Sequence, residues 1–300
     1  MKTLDTQNRT LSKKEAKLVL ELEWQGKQII SLDEIQKALG VDEGYSRSLA
    51  HRLVQKGWFE RLRSGIFQFI PAERGLEAVG DTNPFLEQNA FQQPIFYSFG
   101  NACSHYGFTD QVFAEMYVAS ATRHSPIVVR GKKYVFAFTP KQRFFGFENV
   151  NVLERQVPMA LPERAILDAL DRPQLAGGLS EVSRIIAKAG SKLDFDRLLK
   201  FARRWNQSAL VQRLGYFLDL HQIVLPPEFR EQLKELSKPN SKIYLAPRGR
   251  WKTEHRFNRE WQVVENISRK LLLEESKTKR RLIPKSKTPP SGNRSGKESE

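Results

Sequence analysis

One stretch decides the fold of this chain: residues 31–70 read SLDEIQKALGVDEGYSRSLAHRLVQKGWFERLRSGIFQFI. Ser31 is of the residue types that cap the backbone donors at the start of a helix, and Glu34, three residues later, completes a capping box. Gly40 is suited to end that helix, because glycine commonly occupies the left-handed position after a helix. A short turn from Gly40 to Asp42 leads into a second helix. The sequence therefore predicts two helices joined through a tight turn.

The second helix divides into an apolar and a polar face. Tyr45, Leu49 and Leu53 recur every four residues, so they should pack on the preceding helix and on an earlier helix from about Ser12 to Gly26. The other face carries side chains of the types that reach base edges and phosphate oxygens in a major groove. The candidate DNA-contacting residues of this helix are Arg47, Ser48, His51 and Arg52 on this face, together with Tyr45 from the apolar face.

A β-hairpin follows the second helix. Residues 58–63 and 66–69 alternate apolar and polar positions on either side of a basic turn. Arg61, Arg63 and Ser64 are candidates for contacts to the DNA backbone, which add affinity with little sequence information and make binding sensitive to salt. Helices, turn and basic hairpin together predict a winged helix-turn-helix domain that binds duplex DNA. The alternative is a protein-docking module whose basic helix face is merely solvated.

Composition favours a polyanionic partner. The 300 residues suffice for two domains, and 49 Lys and Arg against 34 Asp and Glu give a net charge of +15. No apolar run is long enough to span a bilayer, and the first residues lack the apolar core of a signal peptide. We therefore expect a cytoplasmic protein whose partner is nucleic acid rather than a membrane.

The sequence predicts three regions. Residues 1–80 form the winged helix domain, residues 81–268 form a larger α+β domain with strands first and helices later, and residues 269–300 form a disordered basic tail. Predicted strands of the second domain cover residues 96–97, 115–121, 127–129, 134–138 and 144–147, and predicted helices cover residues 98–106, 163–170, 179–189, 195–205 and 209–220.

Catalytic and metal-binding patterns are missing from the sequence. The five histidines have no second His or Cys at metal-ligand spacing, and Cys103 is the single cysteine. Glu163 and Asp168 lie five residues apart, which rotates them away from each other on a helix. Glu163 suits the first turn of that helix, and Asp168 can pair with Arg164 or Arg172. We therefore expect a non-enzyme without metal or cofactor.

A candidate basic surface lies on the late helices. Arg203, Arg204 and Arg213 stand near Trp205, an arrangement that suits RNA, a substrate of a partner protein, or DNA. A solvated helix face is the alternative. Trp251 and Trp261 near the end of the second domain are expected to close a core rather than to stack on bases.

Four segments are distinctive: LVQKGWFERLRSGIFQFIP in the first domain and YSFGNACSHYGFTDQV, FFGFENVNVLERQVPMALPERAILDALDRPQLAGGLSEV and ALVQRLGYFLD in the second. They resemble the AbiEi family, the antitoxin and transcriptional regulator half of bacterial type IV toxin-antitoxin systems. They follow one another in the order and rough spacing of the family, and the resemblance covers most of residues 12–268.

The resemblance implies a function that the residues alone do not give. An AbiEi protein represses its own operon by binding inverted repeats in double-stranded operator DNA, and it counteracts a nucleotidyltransferase toxin encoded beside it without requiring a stable complex. The alternative is a winged-helix regulator of accessory genes whose second domain is a sensor or interaction module.

Overall fold

The computed structural model describes residues 9–72, 83–85, 91, 94–152, 155–237, 241–247 and 256–273. The N-terminal part contains α1 (Lys13–Trp24), β1 (Ile29–Ser31), α2 (Leu32–Leu39), α3 (Glu43–Gln55), β2 (Phe59–Arg63) and β3 (Ile66–Phe69). These helices and the hairpin are those that the sequence predicts, and β1 is an addition. The order of the antiparallel sheet is β1-β3-β2.

One face of this small sheet packs on the three helices. Phe59, Phe67 and Phe69 form a buried cluster with apolar residues of α1, α2 and α3. The helices contribute the spaced apolar residues expected from their periodicity. The buried helix residues of the cluster are Leu18, Val19, Leu22, Ile35, Leu49, Ala50 and Leu53.

A second, six-stranded sheet organises the next part of the chain. Its strands are β4 (Ile95–Tyr97), β5 (Met116–Ser120), β6 (Ile127–Val129), β7 (Lys132–Phe138), β8 (Phe147–Val152) and β9 (Arg155–Ala160), in the order β6-β7-β5-β4-β9-β8. The pairs β4–β9 and β5–β7 are parallel and the others are antiparallel, so the sheet is mixed.

The predicted strand at residues 144–147 is wrong. Residues Lys141–Arg143 form a 3-10 turn, and β8 begins only at Phe147. Phe144 packs edge-on against Phe96, and Phe145 is buried in the same core, so these aromatic residues fill space from a loop. Their β-prone composition reflects burial rather than a strand backbone.

Most helices of this part follow its strands along the chain, as the sequence predicts. The helices are α4 (Phe99–His105), α5 (Pro162–Asp171), α6 (Leu179–Ala189), α7 (Phe195–Trp205), α8 (Ser208–Leu220) and α9 (Pro227–Leu236), of which α9 was not predicted. A small sheet and a short helix follow them: β10 (Ile243–Tyr244), β11 (Arg256–Asn258), β12 (Val263–Glu265) and α10 (Arg269–Leu273). The chain is therefore a mixed α+β protein.

The end of the described chain corrects the predicted start of the tail. Residues Arg269–Leu273 form α10 instead of disordered chain, because Leu272 is fully buried and its carbonyl accepts a hydrogen bond from Ser183 on α6 at 2.8 Å. Arg269 also pairs with Glu265 at 2.6 Å. Residues 274–300, including the basic run from Lys277 to Arg281, lie outside the described residues.

The hairpin of the N-terminal part packs against the second sheet. Leu62 and Ile66 belong to the large buried cluster of the second part. Arg130, in the turn between β6 and β7, donates to Glu60 at 2.7 Å and to Gln68, and its backbone N–H donates to the carbonyl of Leu62 at 3.4 Å. Both faces of the small sheet are therefore covered. The predicted boundary near residue 80 lies outside the described residues.

Candidate nucleic-acid interface

Two capping arrangements set the direction of α3. Ser31 and Glu34 form the predicted capping box, with 2.8 Å from the Ser31 N–H to the Glu34 carboxylate. Gly40 ends α2 in the left-handed conformation, with φ of 62°. Asp42 then caps α3 by accepting a hydrogen bond from the Tyr45 N–H at 2.8 Å. Side-chain caps of this kind contribute about 1 kcal/mol each, so the turn between the two helices is well defined.

One face of α3 is fully buried and thereby fixes which face is exposed. Ser46, Leu49, Ala50 and Leu53 have no exposed surface. At 100° per residue, the line directly opposite this buried face runs through Gly44, Ser48, His51 and Gln55, and all four are exposed. We call these four residues the outer line of α3. It contains hydrogen-bonding side chains and no apolar one.

The outer line includes two residues that the sequence prediction left out. Gln55 lies one turn beyond His51, and the two side chains are within 3.2 Å of each other. Gly44 lies in the first turn, where the absence of a side chain permits close approach of another molecule. The i, i+4, i+7 and i+11 spacing from Gly44 was the signal that would have identified both.

Arg47 is exposed, as expected from the sequence, and it lies on one flank of the outer line. Its guanidinium pairs with Glu43 at 2.5 Å, one turn earlier on the same helix, and the two side chains are 69% and 65% exposed. Exposed pairs of this kind contribute little to stability, so the guanidinium can exchange Glu43 for a phosphate at small cost.

Arg52, on the other flank, joins a buried ion cluster. Glu15 of α1 is only 1% exposed at its side chain and accepts hydrogen bonds from Arg52 at 3.2 Å, from Lys56 at 2.6 Å and from the Ser12 N–H at 2.8 Å. Burial acts to raise the pKa of Glu15, but hydrogen bonds from Lys56, Ser12 and Arg52 outweigh it and lower the pKa to about 2. The Arg52 side chain remains 42% exposed. Arg52 therefore fixes α1 to α3 and still presents part of its charge.

Tyr45 stands beside the outer line rather than on it. It is half-buried, with Lys14 4.5 Å and Arg52 5.7 Å from its ring centroid. Two cations over one ring make Tyr45 a support for the basic flank.

The β2–β3 hairpin places its basic residues unequally. Arg61 is exposed and pairs in register with Phe67, so it lies on the helix-facing side of the sheet. Arg63 is half-buried, and burial lowers its pKa. Ser64 is exposed at the turn, while the carbonyl of Gly65 accepts from the Leu32 N–H at 3.0 Å. The turn is thus held against the start of α2, and Arg61 and Ser64 are the more accessible candidates.

The comparisons with known proteins bear on this part of the chain. The matching family model is described as "Transcriptional regulator, AbiEi antitoxin". Residues 17–70 match the AbiEi family. This match runs from within α1 to the residue after β3 and confirms the resemblance seen in the sequence for that region. No curated protein matches the chain.

One solved structure extends the comparison to the whole fold. The chain is similar to the crystal structure of the RV2827C protein from Mycobacterium tuberculosis, with a TM-score of 0.61 and 15% sequence identity. The alignment covers 89% of this chain and 96% of that chain. At this identity the likeness shows a shared fold alone, and it includes the part beyond the AbiEi match.

The candidate basic surface on the late helices is partly engaged. Arg203 is exposed and donates to Gln232 at 3.2 Å, and Arg204 is exposed with its guanidinium 4.0 Å from the centroid of the Phe145 ring. Arg213 is half-buried; burial lowers its pKa and the charge of Asp171 acts in the opposite direction. Arg203 and Arg204 therefore share one surface, and Arg213 contributes less to it.

The carboxylates of α5 have structural roles: Arg164 is one of the two partners predicted for Asp168, whereas the partners of Glu163 were not predicted. Asp168 accepts two hydrogen bonds from Arg164, at 2.8 and 3.0 Å, and one from Ser98 at 2.5 Å. Glu163 accepts from the Asp194 N–H at 2.9 Å and pairs with Arg197 at 3.1 Å. Both carboxylates are buried and directed to separate partners, so they do not converge on a common substrate position.

The cysteine and the potential metal ligands of the described chain do not form a reactive site. Burial raises the pKa of the Cys103 thiol, which favours the unreactive protonated form. Within the described ranges, no group of three or more His, Cys, Asp or Glu side chains is positioned to hold a metal ion. Among the same residues, no helix has the length and apolar character needed to cross a membrane.

The two tryptophans near the end of the second part can be compared only in part with their prediction. Trp261 is fully buried, as expected for a residue that closes a core. Trp251, the arginines beside it and His255 lie outside the described residues.

Proposed function

We propose that this chain is the antitoxin of a type IV toxin-antitoxin system and that it also represses its own operon. Residues 1 to about 80 act as a winged helix-turn-helix domain that binds inverted repeats in operator DNA. Residues about 81 to 268 counteract a nucleotidyltransferase toxin, and the chain itself is not an enzyme. The AbiEi match over residues 17–70 supports the regulatory half, and the wider resemblance in the sequence supports the antitoxin half.

The observation that carries the DNA-binding proposal is the composition of the outer line of α3. Ser48, His51 and Gln55 present donors and acceptors to solvent, in a helix whose other face is fully buried. Glutamine pairs with adenine in the major groove, and serine and histidine reach either bases or phosphates. We assign base contacts to these three residues.

The cationic residues around the outer line suit phosphates. Arg47 and Arg52 flank it, and Arg61 and Ser64 lie on the adjoining hairpin, which takes the place of the wing. Phosphate contacts position the helix and supply salt-dependent affinity. The outer line carries no large apolar residue of the kind that anchors protein-protein interfaces, which favours DNA over the protein-docking alternative.

The alternative function is a winged-helix regulator whose second domain senses a ligand or binds another protein. One observation favours it: Arg130 of the β6–β7 turn holds Glu60 and Gln68 of the hairpin. A change in the second domain would thereby reach the DNA-binding part. The same contact is compatible with an antitoxin, so the neighbouring reading frame decides between them. A nucleotidyltransferase gene there favours the antitoxin.

The experiment that tests both halves uses substitutions rather than truncation. Leu62 and Ile66 pack into the second domain, so deletion of residues 1–80 would uncover apolar surface and confuse the result. We expect Gln55→Ala combined with Arg47→Ala to relieve repression of a reporter fused to the chain's own promoter, while growth rescue from the neighbouring toxin is retained. The control is Val112→Ala, an exposed residue outside both candidate surfaces, which should leave repression and rescue unchanged. Loss of rescue in a stably folded Arg47→Ala and Gln55→Ala variant would show that the division of labour is wrong.

A further inference from the structure

The outer surface of α1 carries an exposed apolar pair. Leu20 is 64% exposed and Trp24, one turn later, is 86% exposed. The core-facing side of the helix is formed by Glu15, Leu18, Val19 and Leu22. At 100° per residue, the opposite side is a stripe through Lys13, Lys17, Leu20 and Trp24. We call this the α1 stripe. The proposed DNA contacts do not use it.

Charge is distributed unevenly along α1. The exposed lysines Lys13 and Lys17 lie in its N-terminal half, and Glu21 and Glu23 lie in its C-terminal half beside Trp24. A second copy of the helix in antiparallel orientation would place lysines against glutamates at both ends, whereas a parallel copy would oppose like charges. Such self-complementarity is what a twofold-symmetric interface requires.

We propose that the α1 stripe is a homodimer interface, in which two copies of this chain pack their α1 helices antiparallel around a twofold axis near Leu20. Leu20 of each copy contacts Leu20 of the other. Trp24 of each copy lies over the lysine half of its partner helix, where a tryptophan ring and an ammonium group attract each other. Lys17 faces Glu21 of the second copy. The proposal rests on α1 alone and does not depend on DNA binding.

The small area of the α1 stripe sets the expected affinity of the dimer. α1 has 12 residues, and a helix of that length is about 18 Å long. A tryptophan side chain buries roughly 150–250 Å² of accessible surface. The area buried by two tryptophans and two leucines is therefore smaller than the roughly 1,200 Å² that a stable interface buries. We therefore expect a reversible dimer with a dissociation constant in the micromolar range.

Sedimentation of the full chain over a concentration series measures this equilibrium directly. We expect a monomer-dimer equilibrium, and we expect Trp24→Ala to raise the dissociation constant at least about tenfold, since tryptophan is the typical hot-spot residue. The matched control is Val112→Ala, because Val112 is 92% exposed and lies outside α1. It should leave the equilibrium unchanged.

Charge reversal distinguishes the proposed antiparallel dimer from nonspecific hydrophobic association. Lys17→Glu alone should weaken the dimer, and combining it with Glu21→Lys should restore it, because both changes together rebuild the opposed pairs. Circular dichroism and thermal unfolding of each variant check that the overall fold is retained. Failure of the double reversal to restore the dimer contradicts the antiparallel register.

Cross-linking supplies a second readout. Cys103 is buried, so a cysteine introduced at Leu20→Cys is the accessible thiol among the described residues. A short bis-maleimide should join two Leu20→Cys chains into a covalent dimer and should not join two Val112→Cys chains. The proposal is overturned if the chain stays monomeric at every concentration and the Leu20→Cys chains give no cross-linked dimer. In that case the α1 stripe is covered by residues 274–300 or by another protein.

Discussion

Replacing Glu15 by glutamine tests how α3, the helix that we propose binds DNA, is held against α1. Glu15 is buried and joins α1 to α3 through Arg52 and Lys56. The substitution keeps the size of the side chain and removes its charge, so each partner loses a charge-assisted hydrogen bond. Arg52 would also lose the contact that fixes its position beside the outer line.

The lowered pKa of Glu15 gives the expected magnitude. Its pKa falls from the ordinary 4.5 to about 2 in the folded chain. One pKa unit corresponds to about 1.4 kcal/mol, so the charged form stabilises the fold by roughly 3 kcal/mol at neutral pH, with some reduction because Arg52 and Lys56 are partly exposed. Because the folded pKa is the lower one, this contribution is complete above the unfolded value of 4.5 and is lost as the pH falls toward 2.

Urea unfolding at neutral and acidic pH measures the effect. We expect Glu15→Gln to lower the free energy of unfolding by about 2–3 kcal/mol at pH 7 and by much less near pH 2, where wild-type Glu15 begins to be protonated. The control is Glu43→Gln, which removes the exposed pair with Arg47 and should cost less than about 0.5 kcal/mol. The reasoning would be refuted if Glu15→Gln lowered the free energy of unfolding by no more than Glu43→Gln does. It would also be refuted if the effect of Glu15→Gln were the same at both pH values.

Two further predictions concern the second domain. Arg130→Ala removes the contacts to Glu60 and Gln68, so calorimetry should resolve separate unfolding of the two parts where the wild type unfolds in one transition, and an unchanged single transition would contradict the coupling. Asp168→Asn leaves the fully buried Arg164 without its charged partner and should cost about 3–5 kcal/mol in denaturant unfolding. A loss below about 1 kcal/mol would mean that the carbonyls of Arg143 and Phe145 suffice to hold Arg164.

Local signals in the sequence were sufficient for the helices and the hairpin of the N-terminal part, whereas β1 was not predicted. Ser31, Glu34 and Gly40 define helix ends through their own backbone hydrogen bonds, so the start and end of α2 follow from residue type. The helices α6 and α7 were likewise predicted at their observed bounds, because each carries a strong apolar periodicity.

The sequence predictions failed where contacts between residues distant in sequence determine the structure. β8 reads FENVNV and lies at an edge of the sheet, so its polar residues hid a strand whose hydrogen bonds come from β9. Phe144 and Phe145 suggested a strand although they fill the core from a loop. Arg52 looked like a simple contact residue, and its pairing with Glu15 joins positions 37 apart in sequence, which no local pattern shows.

The candidate site was predictable in outline and not in detail. The exposed polar face of α3 followed from the spacing of Leu49 and Leu53, whereas Gln55, which lies on the same face, was left out of the sequence prediction. Arg61 and Arg63 are two residues apart and looked equivalent, but Arg63 is half-buried and Arg61 is exposed. Burial of Arg63 depends on the three-dimensional packing of the hairpin, which composition does not reveal.

The binding of purified protein to its own promoter DNA, measured against salt and against a random duplex, tests the central claim most directly. We expect Arg47→Ala to weaken binding to both duplexes and to reduce the slope of affinity against salt by about one counterion. We expect Gln55→Ala to weaken promoter binding about tenfold or more while leaving random-duplex binding and the salt slope unchanged. Wild-type protein that binds both duplexes equally, or a Gln55→Ala variant with unaltered promoter affinity, would contradict sequence recognition by the outer line of α3.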